Sequence, residues 1–192
     1  MDELTVLQSM RQDVASKLKE KRFLHTLSVT EVALDLAYIH KCHPVHAQMA
    51  ALLHDVCKFH TLEEMHQIFD KHHYIPHEHE KFSRALLHGK AAAYYSLDTY
   101  KINHETFGAI YYHTTGRPHM TTLEKVIYVS DYIEPLRGHI DYIQEARQYA
   151  YKDLDKAMYF CLKGSCEYLE KQDTTVDPLT LETFHYYDHL IH

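Results

Sequence analysis

The 192-residue chain has no Trp, only five Gly and five Pro, and four Cys. Gly and Pro together make roughly 5% of it, against about 12% in average usage. That shortage excludes a turn-rich β-sandwich or barrel and a disordered chain. No apolar run approaches the roughly 18 residues of a membrane span. The first stretch, MDELTVLQSMRQDVASKLKEKR, carries both charge signs and lacks the unbroken apolar segment of a secretory signal. Positive charge is in deficit, 20 Lys and Arg against 27 Asp and Glu, for a net −7. A general electrostatic grip on nucleic acid is therefore excluded. Cys42, Cys57, Cys161 and Cys166 form no C-x-x-C pair. Reduced thiols in a cytoplasmic protein, away from membranes, are the expectation.

What the chain has in abundance is histidine, 19 residues or about one in ten. Protonating all of them would carry the net charge from −7 to +12. Apolar residues make up 45%, with 16 Tyr and 7 Phe, enough to fill a core. They recur at helical spacing. Leu4, Leu7, Met10, Val14 and Leu18 form one stripe, and Phe23 to Ile39 predicts a second helix. Val45 to Phe59 predicts a buried central helix. Thr61-x-x-Glu64 has capping-box spacing and should start a helix to about Phe69. Lys71 to Pro76 reads as a loop, His77 to about Ser96 as a helix, and Asn103 to His113 as another. A second capping box, Thr121-x-x-Glu124, leads into LEKVIYVSDYIEP, which Pro135 stops. The β-branched run KVIYVSDYI also reads as a strand by composition, but the cap before it favours helix. Residues 140–171 continue the helical pattern with a break near Ala150, and a last helix begins about Leu179 after the polar QDTTVDP. No repeat, low-complexity tract or linker interrupts the pattern, so residues 1–192 read as one all-α domain.

The sharpest chemical feature is His54-Asp55 inside AALLHDVCK. Two ionisable groups in so apolar a segment are costly unless they are paired, hydrogen-bonded or bound to a metal. Neighbouring helical positions diverge by about 100°, yet an imidazole and a carboxylate can converge on an ion. A His–Asp pair bridging helices is the plainer alternative. His25 in RFLHTLSV and Asp131 in VSDYIEP complete an ordered set, His…His-Asp…Asp, that a divalent cation among helices could use. Mixed imidazole and carboxylate donors suit iron, manganese or zinc better than magnesium or calcium.

Five blocks in order, RFLHTLSV, AALLHDVCK, ALLHG, YYHTTG and LEKVIYVSDYIEPLR, resemble the HD-domain phosphohydrolases. The resemblance is specifically to the YqeK-type branch, the symmetrical bis(5′-nucleosyl)-tetraphosphatases. It spans a motif core of about 21–138, with weaker similarity in the helices of 139–192. It implies an HD-domain helical bundle, with His25, His54, Asp55 and Asp131 as metal ligands. His88 and His113 would face the same pocket, holding a second metal or the polyphosphate itself, so that His54, Asp55, His88 and His113 form the catalytic group. The family points to iron, and these donors also suit manganese or cobalt. The implied reaction is hydrolysis of a dinucleoside tetraphosphate such as diadenosine tetraphosphate into two nucleoside diphosphates by metal-activated water. Asp55 is the natural bridge between two ions.

Substrate phosphates would meet His25, His88, His113 and basic residues beside the blocks, Arg22 and Arg137 ahead of Lys58. Tyr132 could stack a base, as could Tyr112; Tyr128 reads rather as core. Gly89 and Gly116, close behind His88 and His113, fit helix ends or close backbone approach. Two departures stand out. Cys57 precedes Lys58 where small or aromatic residues are usual, and reads as a buried neutral thiol. The segment DTTVDPLTLETF matches the family's nucleotide-contacting tail only loosely. Other readings keep the site for a different nucleotide, make it a regulatory nucleotide-binding domain without turnover, or treat His72-His73 and His77-x-His79 as a metal-buffering surface. The Tyr-rich helices from Tyr142 to Tyr159 could form a core face or a homodimer face.

Overall fold

The computed structural model describes residues 3–138 and 141–192, with the backbone alone for 141 and 142. All regular structure among them is helical. The helices are α1 (Glu3–Lys17), α2 (Glu20–Ile39), α3 (Pro44–Leu53), α4 (Leu62–Lys71), α5 (Arg84–Tyr100), α6 (His104–Tyr111) and α7 (Thr122–Ile133). After a 3-10 turn (Pro135–Arg137) come α8 (Asp141–Ala150), α9 (Leu154–Lys171) and α10 (Pro178–Ile191). The start of the expected C-terminal section, His139 and Ile140, lies outside the described residues, as does the side chain of Tyr142.

Helix α7 is the hub. It packs on α2, α3, α6, α8 and α9, while α1 lies on α3, α4 on α5, and α10 on α9. Val126, Ile127 and Val129 of α7 are wholly buried, with Val29, Ala33 and Leu36 of α2 and Met158, Cys161 and Leu162 of α9. Burial at about 1.5–3 kcal/mol per large apolar side chain outweighs the few tenths by which β-branched residues disfavour a helix. KVIYVSDYI is accordingly helical. Ala47, Ala50 and Ala51 of α3 are also fully buried, small enough to let α2 and α6 approach.

Both expected capping boxes are present. Thr61 accepts from the Glu64 N–H while Glu64 accepts from the Thr61 N–H, and Thr121 and Glu124 do the same. The break near Ala150 is there too, closed by Asp153, which caps α9 through the N–H groups of Asp155 and Lys156.

Two boundaries and one buried stripe differ from expectation. The helix expected over 45–59 ends at Leu53, and the chain continues in turns closed by bonds such as Val56 N–H to Leu53 O (3.1 Å) and Lys58 N–H to Asp55 O (2.8 Å). The apolar pattern persists because the turn itself lies in the core, with Val56 and Cys57 buried. The helix expected from His77 starts only at Arg84, capped by Ser83. Glu80 folds the preceding loop inward, accepting from the Tyr74 hydroxyl (2.7 Å) and the His77 N–H (3.0 Å) and pairing with Lys90. Leu4, the first member of the expected α1 stripe, is 67% exposed, and the buried face starts with Met10 and Val14. Of the Tyr-rich segment, Tyr149 stacks on Phe160 and Tyr159 on Phe184, within the protein.

Candidate active site

The ionisable groups of the motif blocks meet where several helices end. His54 is the C-cap of α3, and Asp55 follows it into the turn. His113 lies just past the end of α6, and Asp131 stands in the last turn of α7. His25 comes from the second turn of α2 and His88 from the second turn of α5. His54 and Asp55 are wholly buried, and His25, His88 and His113 nearly so.

The Asp55 carboxylate stands between two groups of imidazoles. Its Oδ2 faces His54 Nε2 at 3.2 Å and His25 Nε2 at 4.0 Å. Its Oδ1 faces His88 Nε2 at 3.0 Å and His113 Nε2 at 4.0 Å. Asp131 Oδ1 closes the first group, 3.0 Å from His25 Nε2 and 4.0 Å from His54 Nε2.

The other nitrogen of each ring is committed elsewhere. His54, His88 and His113 donate Nδ1–H to the carbonyls of Ala51 (2.6 Å), Ala85 (2.8 Å) and Ile110 (2.7 Å), each three residues earlier. A carbonyl only accepts, so the proton is on Nδ1 and the Nε2 lone pair points inward. Burial, reinforced by His113, holds the His54 imidazole well below its ordinary value. Burial pushes His88 and His113 down to about 3, with Lys58 adding to the effect on His88 and His88 to that on His113. All three rings are thus neutral. His25 Nδ1 instead meets Glu134 Oε1 at 2.9 Å. Burial acts to raise the Asp131 carboxyl, but Arg137 and His25 outweigh it and hold it well below the usual range.

Inward-pointing lone pairs beside two carboxylates are a poor arrangement by themselves. His54 Nε2 is buried without a hydrogen-bond partner, the Asp55 oxygens pair with the cations of Arg22 and Lys58 but accept no hydrogen bond, and His88 Nε2 and His113 Nε2 approach each other to 3.2 Å. Buried acceptors left this way are costly, and a cation would satisfy them. Among the described residues, every cluster of donors close enough to share an ion is drawn from these six. The clusters are His25, His54 and Asp55; His54, His113 and Asp131; and Asp55, His88 and His113. The donor set fits a divalent transition metal.

Gly89 makes room for this. A Cβ there would come within 2.8 Å of His113 Cε1 and 2.9 Å of Nδ1. The ring lies directly on the α5 backbone, the close approach that Gly after His88 suggested.

Basic side chains stand around the carboxylates. Arg22 pairs with Asp55 Oδ2. Lys58 Nζ lies 3.1 Å from His88 Nε2 and 3.4 Å from Asp55 Oδ1. Arg137 holds Asp131 through Nη2 on Oδ1 (2.8 Å) and Nε on the carbonyl (2.9 Å). A cavity of about 780 Å³, the size range of a bound nucleotide, opens above them. Lys58 and Arg137 line it, with His88, His113, Asp131 and Tyr132; Arg22 is not among its lining residues. Tyr128 is 5% exposed at its edge, as a core residue would be, and Tyr112 is spent against Arg117. Cys57 is buried, its thiol pushed up to about 12 by burial, and belongs to no donor cluster.

The far wall of the cavity comes from Tyr168 and Leu169 of α9 and from the segment Thr174–Thr180. That is the tail whose motif match was loose. His79 also reaches it and pairs with Asp177 at 3.0 Å. Like His72, which pairs with Asp98 and stacks on Tyr94, it lies outside the clusters of three or more donors found among the described residues. Sequence reasoning passed over Glu134 altogether. The only signal for it was an acidic residue wedged between the apolar end of α7 and a helix-stopping proline.

The chain is similar to known proteins over most of its length. Residues 22–136 match the HD domain family. The symmetrical bis(5′-nucleosyl)-tetraphosphatase of Staphylococcus aureus (strain NCTC 8325 / PS 47) is 38% identical over 176 residues, 90% of this chain and 90% of that one. The Bacillus subtilis (strain 168) protein of the same name is 37% identical over 178 residues, covering 90% and 92%. A solved Clostridium acetobutylicum structure, described as a predicted HD superfamily hydrolase involved in NAD metabolism, superposes with a TM-score of 0.89. It is 30% identical, with 95% of this chain and 97% of that chain covered. Among the described residues no helix is long and apolar enough to cross a membrane. The chain belongs to the HD domain family.

Proposed function

We propose that this chain is a metal-dependent hydrolase that cleaves dinucleoside tetraphosphates symmetrically, taking diadenosine tetraphosphate and water to two ADP. The observation that carries the reading is the two-sided Asp55 carboxylate, each oxygen facing its own pair of imidazoles. His25, His54, Asp55 and Asp131 would hold one divalent cation, and His88 and His113 with the other Asp55 oxygen a second. When bound, such ions supply Lewis acidity toward water and toward the phosphoryl oxygens. Iron is the metal of this reading, with manganese or cobalt as alternatives of similar ligand preference.

The protein's own part is to bind and orient. His54, His88 and His113 keep their protons on Nδ1, where main-chain carbonyls hold them, so their inner faces remain basic at neutral pH. Lys58 and Arg137 stand at the cavity floor where phosphate oxygens would lie, and there they offset the charge that develops on the departing diphosphate. Arg22 keeps Asp55 aligned from beneath. Tyr132 and the Thr174–Thr180 wall flank the nucleoside. The reading takes residues 1–192 as one domain in the cytoplasm, a compartment suited to four free cysteines. It includes a homodimer, which a light-scattering mass decides.

The test is product analysis. Protein purified with its native metal and incubated with diadenosine tetraphosphate should give ADP alone. ATP plus AMP would reject symmetrical cleavage, and turnover confined to other nucleotides would reject the substrate. Asp55→Ala should lose metal and activity together.

A further inference from the structure

We infer that Glu134 is a positioning residue of the site, fixing with one buried carboxylate both the His25 imidazole and the turn that carries Arg137. The inference rests on the metal and phosphate roles proposed above for those two residues. Glu134 is 1% exposed. Its Oε1 accepts from His25 Nδ1 at 2.9 Å, and its Oε2 accepts from the Leu136 N–H at 2.7 Å, capping the Pro135–Arg137 turn. That turn sends Arg137 back onto Asp131, whose Oδ1 is itself 3.0 Å from His25 Nε2. A closed circuit results, from Glu134 through His25 to Asp131 and through Arg137 back to the turn.

Arg147 of α8 holds the backbone of the same segment. It donates to the carbonyls of Ile133 (2.8 Å), Glu134 (2.9 Å) and Gly138 (3.0 Å). The carboxylate is therefore presented from a pinned main chain. Among the four inward-facing rings, His25 alone leans on a charged group; the other three lean on carbonyls of their own turns. A carboxylate behind an imidazole fixes its tautomer and rotation and makes its free nitrogen a stronger donor. A residue that only ended α7 would need the Leu136 contact and nothing more. The Oε1 contact with His25 is the part that a cap leaves unexplained.

The experiment compares wild type, Glu134→Gln and Glu134→Ala after removal of metal. Mn²⁺ binding is followed by electron paramagnetic resonance, diadenosine tetraphosphate kinetics are measured on reloaded protein, and histidine tautomers are read by ¹H–¹⁵N NMR on the metal-free protein. Glu134→Gln keeps the shape and one acceptor, so it should fold while binding Mn²⁺ roughly 10- to 100-fold more weakly. In Glu134→Ala the His25 ring should lose its fixed Nδ1–H signal, and KM should rise as the Arg137 turn loosens. If Glu134→Gln lowers the melting temperature yet binds Mn²⁺ like wild type, Glu134 is a cap and the inference is wrong. Wild-type protein that binds no Mn²⁺, Fe²⁺ or Co²⁺ would remove the metal reading itself, a separate and distinguishable failure.

Discussion

Replacing Gly89 by Ala should separate stability from activity. In an α-helix interior Ala is favoured over Gly by about 1 kcal/mol, so the backbone of α5 gains from the change. The new methyl, however, would stand 2.8 Å from His113 Cε1, where ordinary contact begins near 3.4 Å. The ring must retreat by about 0.6 Å, and it is held by its 2.7 Å bond to the Ile110 carbonyl. Overpacking of this kind costs about 1–3 kcal/mol, which the helical gain partly offsets. The net cost is at most about 2 kcal/mol, so the melting temperature should fall by no more than about 8 °C. Displacement of a reacting group by 1 Å can cost about 100-fold in rate, and a 0.6 Å shift of His113 should cost between 10- and 100-fold in kcat. Calorimetry and steady-state hydrolysis of diadenosine tetraphosphate on the same preparation measure both quantities. A double-mutant cycle with His113→Ala adds a sharper criterion: once the ring is gone, Gly89→Ala should cost no further activity. Wild-type activity in Gly89→Ala, or full additivity in the cycle, refutes the argument.

Other outcomes follow from the same geometry. Lys90→Met strands the buried Glu80 carboxylate and should cost about 3–5 kcal/mol in a urea melt, while Lys90→Met with Glu80→Leu should recover most of it. Burial acts to raise the Glu80 carboxyl, but Lys90, Tyr74 and the His77 N–H outweigh it and hold it below 4.5. Its contribution is complete above pH 4.5 and is lost as pH falls through the depressed folded value, so wild-type stability should drop more steeply in acid than that of Glu80→Gln. Burial, with Arg22 nearby, lowers Lys58 to about 8. Its charge is present below that pH and lost above it, so KM for the tetraphosphate should climb through pH 8, and Lys58→Arg should abolish the climb. A divalent metal at 100 times its dissociation constant should stabilise the fold by about 2.7 kcal/mol, a shift that a chelator reverses and Asp55→Ala lacks.

The residues that carry the site were legible because they are expensive where they stand. A His-Asp pair among AALL and an Asp among β-branched residues ask for a partner, and the order of the blocks supplied one. The capping boxes were equally plain, since each is a local exchange of two hydrogen bonds. Periodicity failed where burial and helix part company. Val56 and Cys57 are core residues in a turn, and an apolar pattern cannot tell one from the other. The loop before α5 was misread because its fold depends on Glu80 meeting Lys90, two charged residues that a pattern places on the surface. Glu134 was missed for a related reason: its value lies in contact with a ring 109 positions away, which local spacing does not record.

The places where the helices stop have an electrostatic consequence. Around the centre the formal charges cancel, with Asp55, Asp131 and Glu134 against Arg22, Lys58 and Arg137. What remains is the field of the backbone. Helices α3, α6 and α7 deliver His54, His113 and Asp131 at or near their carboxyl ends, and each such end carries about half a negative charge that acts over its last turn. The positive amino ends of α2 and α5 stand a turn further off, since His25 and His88 come from second turns. With the side chains in balance, the three carboxyl ends therefore set the sign of the potential. The preference for a cation is then a property of the fold as well as of its ligands, one that exchanging a single imidazole donor would leave in place.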